Sequence, residues 1–192
     1  MARFDEENRS RAEALVGLYP ERRSALIPLC HLAQAQDGHL TGEAMEEIGD
    51  LCGVSPAEVY GTASFYDMLF TEPVGRHVVA ICTNISCMLA GAYGLLEHAE
   101  ETLGICAGQT TDDGEFTLEE AECLAGCDLA PCVQVNHRFV GALDAEGFDR
   151  LLVDLRAGLR RDEIPRHGVL CRVERSVGLP GNEAEPMEVA RR

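Results

Sequence analysis

The chain has no lysine: its 16 basic residues are all arginine, set against 33 acidic ones. A GC-rich coding bias accounts for that absence, and no function is attached to it. The resulting net charge of −17 argues against nucleic acid, whose phosphates need a cationic surface. It also argues against direct binding to an anionic membrane, while leaving an acidic face to steer a basic protein partner. No apolar run approaches the roughly 20 residues of a membrane-spanning helix. The opening, Met1-Ala2-Arg3-Phe4-Asp5-Glu6-Glu7, is polar and acidic, unlike a secretory signal, so a cytoplasmic protein is expected. No G-x-G-x-x-G follows a strand, no P-loop is present and no C-x-x-C-H occurs, which argues against nucleotide and c-type haem binding. The six histidines (His31, His39, His77, His98, His137, His167) are scattered and none stands in a C-x-H context, which argues against a Rieske-type centre.

What the chain has is cysteine, nine in 192 residues with 46% apolar content. In a reducing compartment these are expected as metal ligands and spare buried thiols rather than disulfides. Four stand in two local pairs. Cys82-Thr83-Asn84-Ile85-Ser86-Cys87 is C-x4-C, and Cys123-Leu124-Ala125-Gly126-Cys127 is C-x3-C. Each is read as a loop just past a strand, so that two sulfurs curl towards one metal while loop N–H groups donate to them. Gly126 is expected to make the second turn through a positive φ. Four thiolates suit an iron–sulfur cluster or zinc, and the spacing admits both.

The first third reads as a small helical bundle. Helices are expected over 8–18 (apolar face Ala14, Leu15, Leu18), over 25–36 capped by Ser24, over a short stretch from Thr41 to Leu51, and from the capping box Ser55-Pro56-Ala57-Glu58 to about Tyr66. The pair Phe65-Tyr66 is expected to pack on the next domain, and Cys30 and Cys52 are expected as small buried hydrophobes. Glu72-Pro73-Val74-Gly75 is a turn cluster and a domain boundary.

Beyond it, His77–Cys82 is a buried strand, 89–103 a helix, Asp112-Asp113-Gly114 a turn and 115–122 an extended segment. Asn136-His137 turns a hairpin, and Asp144 caps a last helix with Phe148, Leu151, Leu152 and Leu155 inward. His77 is expected at the surface, and Glu97, Glu100 and Glu101 on a solvated helix face. Strand, helix, strand, hairpin, helix is the order of a thioredoxin-like sandwich. The fold class is therefore α+β: a helical domain over 1–72, a thioredoxin-like domain over 73–160 and a Pro/Gly-interrupted extension over 161–192, either exposed or laid along a partner.

The stretch Cys82-Thr83…Cys87-Met88-Leu89-Ala90-Gly91, with Glu122-Cys123-Leu124…Cys127…Ala130-Pro131…Val133-Gln134-Val135-Asn136, resembles the thioredoxin-like [2Fe–2S] subunit of NADH:quinone oxidoreductase, respiratory complex I. Gly61-Thr62-Ala63-Ser64-Phe65-Tyr66 is similar to that family's segment between its helical and ferredoxin domains. Two positions depart from its pattern: Ala125, where Gly more often follows Leu, and Cys132, where an apolar residue is usual; Cys132 is expected as a buried thiol, a fifth sulfur close to the loop.

The resemblance implies one [2Fe–2S] cluster held by Cys82, Cys87, Cys123 and Cys127, one iron per pair. It implies a flavoprotein partner that binds FMN and NADH, and other peripheral-arm subunits. It implies a redox carrier without its own substrate site, peripheral to the cytoplasmic face of the membrane. Equivalent subunits of NAD-linked hydrogenases and formate dehydrogenases are the alternative within the family. A zinc-stapled interaction module is the alternative outside it.

Overall fold

The structure, a computed structural model, describes residues 3–164. They fall into two compact units, one ending at Thr71 and the other beginning at Glu72.

The first unit is helical: α1 (Glu6–Gly17), α2 (Leu26–Asp37), α3 (Gly42–Cys52) and α4 (Pro56–Ala63). Asp5 caps α1 by accepting the Asn8 N–H, and Thr41 caps α3 through Ala44. The Ser55–Glu58 capping box opens α4 with Pro56 in its first turn. Gly38 and Gly53 end α2 and α3 in the left-handed conformation that glycine adopts without steric cost. Leu29, Cys30, Ala33, Ile48, Cys52 and Val59 are buried together at the centre. Gln34 is buried too, and it is bonded at both ends of its amide: its Oε1 accepts the Phe70 N–H at 2.7 Å and its Nε2 donates to the Met68 carbonyl at 2.9 Å.

Three features of this unit differ from expectation. Ser24 caps nothing, because Arg22–Ala25 is a 3₁₀ turn that feeds α2 directly. Leu18 lies outside α1 and is exposed. Helix α4 stops at Ala63, three residues short of Tyr66. Tyr66 packs on the helical unit's own core, with Phe65 edge-on to it.

The second unit is a four-stranded sheet in the order β2-β1-β3-β4, with β1 His77–Cys82, β2 Phe116–Ala121, β3 Cys132–Val135 and β4 Arg138–Ala142. Strand β1 runs parallel to β2 and antiparallel to β3, and β3 and β4 form a hairpin. Its turn residues, Asn136 and His137, both have positive φ, the geometry that suits the twist of a tight hairpin. Alternation along the strands puts Val79, Ile81, Phe116, Leu118, Val133 and Val135 into one core. Helices α6 (Ala92–Leu103) and α7 (Ala145–Ala157) complete it with Leu95, Leu96, Ala99, Phe148, Leu151, Leu152 and Leu155.

The helix expected over 89–103 is α6, starting three residues later, and a short helix stands before it where a loop is expected. A five-residue α5 (Ile85–Leu89) ends at Ala90, Gly91 turns the chain at φ 93°, and α6 begins. His77 is buried, 9% exposed, with its ring 5.6 Å from that of Phe116. Of the acidic trio, Glu97 and Glu101 are exposed but Glu100 accepts the Ala107 N–H at 2.8 Å and pins the following loop. Ile164 packs into the sheet core, four residues past the boundary expected at 160. The rest of the expected extension lies outside the described residues.

Candidate metal centre

Strand β1 ends on Cys82 and strand β2 ends two residues before Cys123. The two strands are parallel and paired, Cys82 opposite Ala121, so both cysteine segments leave the same end of the sheet. The fold, not the local sequence, makes neighbours of residues some forty positions apart.

Cys82 and Cys87 are 3% and 2% exposed and pack with Cys132 and Ala92 in a small cluster of their own. Cys87 is not on a loop as expected; it sits on the inner side of α5, opposite Ile85 and Leu89, which are exposed. Asn84 caps that helix. Cys127 opens a 3₁₀ turn, Cys127–Leu129, and both Cys123 and Cys127 are exposed.

Backbone amides converge on the sulfurs. Burial pushes the Cys82 thiol up, but N–H groups of Leu124 and Asn84 and the Cys87 thiol outweigh it, and the net direction is down. A thiol favoured as thiolate is a better metal ligand. Cys87 goes up, chiefly by burial; the Cys132 N–H, 3.4 Å from its Sγ, opposes this, and the thiols of Cys82 and Cys127 add to it. Of the four candidates, Cys87 thus has the thiols of both Cys82 and Cys127 acting on it. Cys123 is exposed, and the N–H of its neighbour Leu124 donates to Cys82. Among the described residues, no three His, Cys, Asp or Glu side chains gather closely enough to hold a single ion.

The donor set fits a two-iron cluster. Its chemistry asks for soft thiolates in pairs, with N–H donors to the sulfurs and partial shielding from water. All three are present at the ends of β1 and β2.

The second loop turns differently from expectation. Gly126 has φ −100°, and the positive φ of 61° belongs to Ala125. Glycine is required at 126 for space: a Cβ there would lie 2.7 Å from the Cys132 Sγ and 2.9 Å from the Phe139 ring. Cys132, expected as a spare buried thiol, is 1% exposed and sits under this loop. Burial, followed by the neighbouring thiols of Cys87, Cys82 and Cys127, pushes it up to about 11. The sequence marks it as a fifth sulfur near the loop, and β3 sets it beside Cys82 and Cys87. Cys30 and Cys52 are buried as expected, and burial pushes Cys30 up to about 12.

The model of the thioredoxin-like [2Fe–2S] ferredoxin family matches residues 12–156. The chain is 44% identical over 173 residues to an E-type NADH-quinone oxidoreductase subunit of Rhizobium meliloti, covering 90% of this chain and 98% of that one. It is 39% identical to NADH-quinone oxidoreductase subunit 2 of Thermus thermophilus, covering 88% and 94%. The structure also superposes on an H2-reduced NAD+-reducing [NiFe]-hydrogenase with a TM-score of 0.64 and 27% identity. There it covers 73% of this chain and 24% of the hydrogenase chain, so it spans about a quarter of that protein.

Proposed function

This chain belongs to the thioredoxin-like [2Fe–2S] ferredoxin family, and from that premise we propose that it is the electron-transfer subunit of an NADH:quinone oxidoreductase. Its cofactor is a [2Fe–2S] cluster, which when bound takes and returns one electron at a time. Cys82 and Cys87 hold one iron and Cys123 and Cys127 the other. The observation that carries this reading is that both cysteine segments leave one end of a parallel strand pair, with amides aimed at the sulfurs of the first pair.

Each residue has a task that follows from its place. The amides of Leu124, Asn84 and Cys132 donate to the ligand sulfurs and stabilise added negative charge there. Cys82 and Cys87 lie at the floor of the site, out of water, and Cys123 and Cys127 face outward. Beside them Ile85, Met88 and Leu89 of α5 and Tyr93 of α6 are exposed, Leu89 by 80%. Apolar side chains left in water around a redox site are a docking face, and the partner they suit is the flavoprotein that binds FMN and NADH. This chain is a redox carrier, not the subunit that binds the nucleotide. Among the described residues no helix is long and apolar enough to cross a membrane. In this reading the protein works at the cytoplasmic face, held there by the other subunits of the peripheral arm. The likeness to the hydrogenase supports a second reading, the same role in an NAD-linked hydrogenase or formate dehydrogenase. Identifying the subunits that co-purify separates the two.

The test is anaerobic purification followed by iron, sulfide and zinc analysis, with EPR before and after dithionite. About two irons and two sulfides per chain are expected, silent when oxidised and giving a spin-half signal when reduced. Zinc without sulfide, even after reconstitution, would make the four cysteines a structural clip and overturn the reading. Full wild-type iron and sulfide in all four single Cys→Ser variants would overturn the ligand assignment.

A further inference from the structure

The site holds one thiol more than a [2Fe–2S] cluster uses. Cys132 Sγ lies directly beneath the loop of the second pair, so close that no side chain fits at Gly126 between them. Its own backbone N–H points at Cys87 Sγ. It is buried in contact with Cys82, Cys87 and Ala92, and its thiol lies within electrostatic reach of Cys87, Cys82 and Cys127. A spare core cysteine has no need of such company. Cys30, in the helical unit, is just as buried with only Cys52 acting on it.

We infer that Cys132 is a reserve ligand of the metal site, replacing Cys87 at its iron when that bond is lost. The inference rests on the assignment of Cys82, Cys87, Cys123 and Cys127 as ligands. The exchange is balanced without any redox partner. The iron–sulfur bond to Cys87 breaks, a bond from the same iron to Cys132 Sγ forms, and the thiol proton of Cys132 passes to the departing Cys87 sulfur. No electron changes hands. Cys87 is the ligand best placed for replacement, because the hydrogen bond to its sulfur fixes Cys132 beside it. Cys123, exposed and outside the buried group, is the worst placed.

The experiment uses the full-length chain, purified anaerobically and reconstituted with iron and sulfide. Alanine replaces Cys87, since a serine hydroxyl can itself bind iron. Retained iron and the iron–sulfur stretching bands in the resonance Raman spectrum are compared for Cys87→Ala, Cys132→Ala and the double variant. Cys132→Ala alone is expected to keep wild-type iron. Cys87→Ala is expected to keep a cluster with four sulfur ligands. The double variant is expected to lose about ten-fold or more in retained iron, or to show oxygen ligation. The Cys123→Ala background, with and without Cys132, is expected to show no such difference. Equal behaviour of Cys87→Ala and the double variant, with wild-type chain fully loaded, overturns the inference and leaves the ligand assignment standing. A wild-type chain that binds no cluster overturns both. Where circular dichroism shows that Cys87→Ala has not folded, the comparison is made in the near-isosteric Cys87→Ser: all-sulfur ligation that turns to oxygen ligation when Cys132 is also removed supports the inference, and oxygen ligation in both overturns it.

Discussion

The two residues between Leu124 and Cys127 divide the work of the turn in an unexpected way. Ala125 takes the left-handed backbone, which costs an L-residue with a Cβ about 1–2 kcal/mol. Ala125→Gly removes that cost but adds entropy to the unfolded chain, so a net gain of up to about 1 kcal/mol is expected, read as a higher urea midpoint. Gly126→Ala acts the other way. Its methyl meets the Cys132 sulfur and the Phe139 ring, so the loop shifts away from the site, and iron retention against a chelator should fall by about ten-fold. Unchanged retention would mean the loop adapts freely. The two cysteine pairs stand out in the sequence because each is local, and the paired strands carry both segments to one end of the sheet. Which neighbour of Cys127 carries the strained backbone does not stand out there, because glycine at 126 answers a steric demand made by residues from β3 and β4.

The elements were legible where one strong local signal marked each end. His-Val-Val-Ala-Ile-Cys is β1 residue for residue, and Thr41, Ser55 and Asp144 cap the helices assigned to them. Helix α5 was hidden, since five residues are too few to show a helical period and they read as part of the loop that carries Cys87. Connections made by buried polar side chains were hidden for another reason: their partners are remote in sequence. Asn136 accepts the Val78 N–H at 2.8 Å and donates to the Arg76 carbonyl at 3.2 Å, tying the hairpin to the start of β1. Asn136→Ala strands a buried amide and strains the turn. A loss of about 2–3 kcal/mol is expected in denaturant unfolding of the second unit. Asn136→Asp keeps the acceptor but sets a buried carboxylate against the Arg76 carbonyl, so it should cost no less. In the helical unit Gln34→Ala orphans the Phe70 amide and the Met68 carbonyl, with an expected cost of about 2 kcal/mol. A negligible change would mean that water replaces both bonds.

For the molecule as a whole, acid should destabilise. The Asp113 carboxyl is held below its usual range by the Thr111 hydroxyl first, then by the Glu115 N–H and the Arg156 guanidinium. Glu58 is held down by the Ser55 N–H and then its hydroxyl. A carboxylate whose folded value is depressed contributes stability that is complete above its unfolded value, about 3.9 for Asp and 4.3 for Glu. That stability is lost as pH falls through the folded value. The urea midpoint should therefore drop below about pH 4, and Asp113→Asn should flatten the drop while lowering stability at neutral pH. Neutralising the net −17 relieves self-repulsion and works in the opposite sense. High salt screens that contribution and leaves the short-range one. A midpoint that rises on acidification in high salt would refute the assignment to these two carboxylates.

One pair of cysteines is sunk in the protein and the other stands in the open. On the proposed ligand assignment, the exposed pair is the side from which iron, chelators and oxidants reach the site. A partner that settles over residues 123–127 would slow loading and loss alike, so loading before docking is the expected order.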